Sequence, residues 1–143
     1  MDFDTFLGRV ESRGQLASTE DALRATRITF ETLGRRVDSE AAERLGAQLP
    51  GELERFLTKE EGTERFAWGE FVGRLVEAGG YDEGAGGTAA HHARVVLSVV
   101  DDATTEGAVD TVRERLPAEE DWDELFALVD REERPAAEGR GAE

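Results

Sequence analysis

Apolar residues fall at Phe3, Phe6, Leu7 and Val10, the i, i+3, i+4, i+7 spacing of one helix face. The same spacing returns at Trp68, Phe71, Val72 and Leu75. The two stretches share a word, FLGRV at Phe6–Val10 and FVGRL at Phe71–Leu75, 65 residues apart. A second pair of stripes follows. ALRATRITFETL, starting at Ala22, aligns with AAHHARVVLSVV, starting at Ala89, an offset of 67. The third pair is Ala42, Leu45, Leu49 against Val109, Val112, Leu116, and each copy ends in Leu-Pro (Leu49-Pro50 and Leu116-Pro117). The fourth sets Leu53, Phe56, Leu57 against Trp122, Leu125, Phe126 at an offset of 69. The offset grows only at loops, so the pattern predicts an internal duplication of a unit of about four helices.

Local signals place the boundaries. The second helices are predicted to start near Ser18-Thr19 and near Thr88, which are good N-cap types, and the third helices to follow Ser39 and Thr105. Proline after leucine stops one helix and suits the first turn of the next. No period-2 run of β-branched residues argues for a strand. Val95, Val96, Val99 and Val100 widen the apolar face of the second helix in the second copy, so residues 88–102 are predicted to lie centrally. Gly8 and Gly73, one in each first helix, are expected to let another helix approach closely. The expected architecture is all-α: one compact domain from two tandem pseudo-symmetric units, 1–62 and 63–130. A tail at 131–143 lacks periodicity and is expected to be disordered.

In their order and duplication, MDFDTFLGRV, RATRITFETL, the two Leu-Pro endings and DELF at Asp123–Phe126 resemble the prokaryotic domain-of-unknown-function family numbered twenty-two sixty-seven, over about residues 1–130. The resemblance implies an all-helical fold. That family has no established activity, so the resemblance implies no catalytic or ligand residue.

Charge changes the picture. Asp and Glu number 33 against 17 Lys and Arg, a formal net charge of −16. Lys59 is the only lysine, Ile28 the only isoleucine, and asparagine is absent, a GC-rich coding signature. Together these point to a salt-in halophile, where screening makes such self-repulsion tolerable: the Debye length is about 3 Å at 1 M salt. The acid excess and the lack of any basic run longer than Arg35-Arg36 argue against nucleic acid as a partner. There is no cysteine, and the acidic N-terminus has no long apolar run, so neither disulfide, signal peptide nor membrane helix is expected, and a cytoplasmic location is.

Candidate chemistry is sparse. GGYDEGAGGTAAHH, Gly79–His92, runs from a glycine-rich loop into a helix, yet it has neither the Gly-Lys-Ser/Thr of a P-loop nor a preceding strand. It reads as a linker. His91 and His92 are the only histidines. Adjacent helix positions point about 100° apart, so the two cannot easily share one metal; a ligand or metal site would use one of them with Asp82 or Glu83. His92 also suits a pH sensor. Arg9, Arg74, Arg27 and Arg94 recur at matched positions, which points to paired structural arginines or, more sharply, to an anion pocket fed by both copies. The acid run Glu119–Glu124 reads as a solvated helix start. No catalytic set and no cofactor are indicated. The expected function is a non-enzymatic interaction or scaffold module with an as yet unknown protein partner, the alternative a small-ligand or divalent-metal binder, with a metal-assisted hydrolase behind both.

Overall fold

The computed structural model describes residues 1–105 and 107–131. The predicted tail lies almost wholly outside the described residues. Among the described residues the α-helices run in order α1 Phe3–Gly14, α2 Thr19–Arg36, α3 Ser39–Gly46, α4 Gly51–Thr58, α5 Trp68–Gly79, α6 Gly86–Ala103 and α7 Ala108–Arg113. Two 3₁₀ turns, Ala118–Glu120 and Trp122–Phe126, follow, and residues 127–131 are again helical. No strand occurs among the described residues. The fold is all-α, in one compact domain.

The starts follow capping chemistry. Asp2 accepts a hydrogen bond from the Thr5 amide at 2.8 Å, Ser18 from the Asp21 amide at 3.1 Å and Asp38 from the Ala41 amide at 2.9 Å. Asp38 is therefore the cap of α3, which includes Ser39 as its first residue. Helix α6 begins at Gly86, two residues before Thr88, and has no side-chain cap. α1 ends on Gln15 at φ 54° and α5 on Gly80 at φ 71°, both left-handed.

α2 and α6 form the centre. Helix α2 packs on α1, α4, α5 and α6, while α6 packs on α1, α2, α5, α7 and the Trp122–Phe126 turn. Val95 through Val100 are all buried, as the widened apolar face of that helix requires. Helices α3 and α7 also touch. Phe6, Phe30, Leu33, Phe71, Leu75 and Leu97 fill the interior in one continuous cluster.

Two expectations are corrected. At Gly8 and Gly73 an added Cβ would meet nothing within 4 Å, so neither glycine serves a helix contact. The close approach is at Gly34, where a Cβ would lie 2.2 Å from the Leu57 carbonyl oxygen of α4. The fourth element of the second half is a 3₁₀ turn, not an α-helix: Asp121, left-handed at φ 68°, breaks the approach to it. Trp122, Leu125 and Phe126 still point inward, each fully buried.

Candidate functional site

The arginines chosen from the sequence have different surroundings. Arg74 bonds Glu70 at 2.7 Å and Glu64 at 2.8 Å, with its guanidinium 4.0 Å from the Phe66 ring centroid. Those carboxylates raise its pKa. Arg94 donates through Nε to the Glu124 carbonyl at 2.8 Å and through a terminal nitrogen to the Glu124 carboxylate at 2.9 Å, tying α6 to the Trp122–Phe126 turn. Arg9 and Arg27 are exposed and make no ion pair among the described residues.

Arg36 escaped the sequence reading because an arginine beside Arg35 at a helix end looks like a dipole partner. It is 3% exposed. Its Nε donates to the Phe66 carbonyl at 2.8 Å, a terminal nitrogen reaches Glu120 at 3.0 Å, and the guanidinium lies 5.6 Å from the Trp122 ring centroid. Acids of the 119–124 run thus anchor arginines: Glu120 holds Arg36, Asp123 holds Arg113 and Glu124 holds Arg94. Asp130 also pairs with Arg113, and Asp38 with Arg115. Two carboxyls held below the ordinary range, Asp2 and Asp38, are helix caps, lowered first by the backbone amides of Thr5 and Ala41.

His91 is exposed, and its ring lies 6.1 Å from that of His92. Asp82 and Glu83 are exposed on the loop before α6. Among the described residues no three His, Asp or Glu side chains come together as a metal would need. His92 instead faces a cleft of about 230 Å³, bounded by Leu16, Asp21, Arg24, Ala25 and Tyr81 and floored by Gly79 and Gly80. Its Nδ1 is 2.6 Å from the Tyr81 hydroxyl. Arg24 and Asp21 form an ion pair at 3.2 Å on the rim. Burial raises the Tyr81 phenol, with Arg24 working against that rise and Asp21 adding to it. Burial lowers the His92 imidazole, His91 lowers it further, and Asp21 opposes both. Phenol and imidazole are therefore both neutral near pH 7.

Tyr81 is held firmly. Its amide bonds the Val76 carbonyl at 3.1 Å, and a Cβ at Gly79 would strike its ring at 2.6 Å and Ile28 at 2.8 Å, so the ring packs closely against the Gly79 backbone. In sequence, Tyr81 is only the larger residue after Gly79-Gly80 in a loop expected to be a linker. The signal that marks it is a comparison of the two similar stretches of sequence: Tyr81 aligns with Leu16, as His92 aligns with Ala25.

The pH dependence has a definite sign. A folded-state pKa below the unfolded value means the unfolded chain takes up the proton first. Stability unaffected by His92 above the unfolded value, near 6.5, falls as pH drops from there through the folded value. Urea unfolding at pH 7.5 and 5.5 should show wild type losing more stability than His92→Gln. An equal loss in both would remove the burial argument.

An all-helical domain with a packed centre, arginine-tied surface elements and a small cleft beside His92 is what the fold and site define. The model of the family described as "Uncharacterized conserved protein (DUF2267)" matches residues 3–125, and the chain belongs to that family. No curated protein matches it. No described helix is long and apolar enough to cross a membrane.

Proposed function

We propose that this protein is a non-enzymatic interaction or scaffold module, working in the cytoplasm of a salt-rich cell and binding its partner through a polar, negatively charged surface. One observation carries the reading: many of the arginines are committed to acids of their own chain, while many other acids remain exposed. Arg13, Arg36, Arg74, Arg94, Arg113 and Arg115 are each committed to carboxylates of their own chain. Glu20, Glu52, Glu61, Asp82, Glu83 and Glu114 stay exposed. Met1 is the only exposed large hydrophobic side chain among the described residues. A partner helix laid in an apolar groove is therefore not what this surface fits; a basic, polar partner is, and it is guided by charge more than by apolar area.

We further infer that the chain arose by duplication, with units at 1–62 and 63–130. The pairing of elements supports this. α1 and α5 both have 12 residues, and α2 and α6 both have 18. α1 meets α6 as α5 meets α2.

The test is carboxylate-directed cross-linking of the full chain in cell extract across a salt series, read by mass spectrometry. One stoichiometric partner, linked through these exposed acids and weakened as salt rises, is expected. A chain that stays unlinked at every salt concentration, or that turns over a small molecule, would overturn the reading.

A further inference from the structure

The cleft beside His92 lies where matched positions of the two halves face each other. Leu16 and Tyr81 are equivalent in the aligned copies, and so are Ala25 and His92; all four line the same space. The first half contributes two aliphatic walls. The second half contributes a phenol and an imidazole bonded to each other at 2.6 Å. The outcome is one small chamber with an apolar side and a polar side. It is not a linker region with incidental side chains, because the Tyr81 ring is seated on Gly79, where a Cβ would come within 2.6 Å of it.

Size and charge restrict what fits. The space of about 230 Å³ is below the ~300 Å³ lower end of drug-sized sites, so the ligand is a small metabolite. The rim offers one positive and one negative group, Arg24 and Asp21, 3.2 Å apart, each with about half or less of its side chain exposed (51% and 39%). A simple anion attracted by Arg24 meets Asp21 and a chain of net charge −16; a simple cation attracted by Asp21 meets Arg24. A molecule carrying both charges on neighbouring atoms satisfies both at once. Arg24 has guanidinium nitrogens beyond the one bonded to Asp21, and can pair a carboxylate with them. When the Tyr81 hydroxyl donates to His92 Nδ1, the imidazole Nε2–H is left as a further donor.

We propose that this cleft binds a small apolar α-amino acid, its carboxylate on Arg24, its ammonium on Asp21 and its side chain against Leu16, Ala25 and the Tyr81 ring. The site is separate from the acidic surface proposed to bind a partner, and either reading can fail alone.

The experiment is an NMR titration of the full chain, following the ring signals of Tyr81, the sole tyrosine, and of His92. The probes are L-alanine, L-valine, L-leucine and L-methionine, with isoamylamine and 4-methylpentanoate as the leucine analogues that each keep one charge. Saturable shifts of both rings by at least one amino acid are expected. Single-charge analogues should bind roughly tenfold or more weakly, the loss of one charge-assisted contact. Arg24→Gln, at an exposed position, should abolish the shifts without unfolding the chain, and His92→Ala, which restores the residue of the first half, should weaken them. Silence from all four amino acids overturns the proposal. So does an amine or acid analogue that binds as well as leucine, or an Arg24→Gln variant that binds like wild type.

Discussion

Trp122→Ala is expected to lower stability by about 3–5 kcal/mol, the range for emptying a fully buried aromatic site. The indole is 0% exposed. Its centroid lies 5.2 Å from Phe71 and 6.0 Å from Trp68, both edge-on, and 6.3 Å from Phe66. Edge-to-face pairs of this kind add to area burial. The Nε1–H reaches Glu120 at 3.3 Å, and the same carboxylate bonds Arg36, so the substitution also loosens the partner of a buried guanidinium. Urea unfolding at fixed high salt measures the loss; in a thermal scan it corresponds to a fall of about 10–15 °C in Tm for a chain of this length. Trp68→Ala, at a half-buried position on the rim of the same cluster, should cost less. A loss below about 1 kcal/mol for Trp122→Ala would mean that the C-terminal turn does not cap the core as described.

The stripes of α1, α2, α5 and α6 were legible because each spans at least two turns, enough for the 3.6-residue period to separate from its competitors. Phe6, Leu7 and Val10 are buried on α1, and Phe71 and Leu75 on α5. The Trp122–Phe126 segment was read as an α-helix for a physical reason. Apolar residues at 122, 125 and 126 fit a single turn of either 3.0 or 3.6 residues, and only the backbone at Asp121 decides between them. Helix α3 begins at Ser39 rather than after it, because the neighbouring Asp38 is itself a good cap and accepts from the Ala41 amide.

The site was less legible, because pairing depends on what another segment brings. Arg9 and Arg74 are matched, yet only Arg74 has its acids. Glu70, one helical turn before it, corresponds to Thr5 in the first half. Likewise Glu124, which holds Arg94, corresponds to Arg55, and Arg27 is left exposed. A repeated arginine therefore says little until its partner position is checked for repetition too. The reverse comparison is the more informative. Where the two aligned stretches differ, Leu16 against Tyr81 and Ala25 against His92, the polar member adds a group that packing alone does not need. Asp21 and Arg24, three residues apart on α2, read as an ordinary surface pair; the fold sets them at the mouth of the cleft.

Gly34→Ala is expected to destabilise by about 2–3 kcal/mol, the upper part of the overpacking range. In an exposed helix interior the same change stabilises by about 1 kcal/mol, since alanine is the better helix former. Here the sign reverses because the obstacle is backbone. The new Cβ would sit 2.2 Å from the Leu57 carbonyl oxygen and 3.2 Å from its carbon, so no side-chain rotation can relieve it. Helix α4 would have to move off α2 as a unit, disturbing Leu53 and Leu57, which are 0% and 1% exposed. Gly8→Ala and Gly73→Ala are the matched controls, with nothing within 4 Å of the added methyl group, and each should gain about 0.5–1 kcal/mol. Three single variants, unfolded in urea under one salt condition, then give opposite signs for the same chemical change. If Gly34→Ala gained stability as the controls do, α2 and α4 would not be in backbone contact. The close approach would then have to be sought elsewhere along the α2–α4 face.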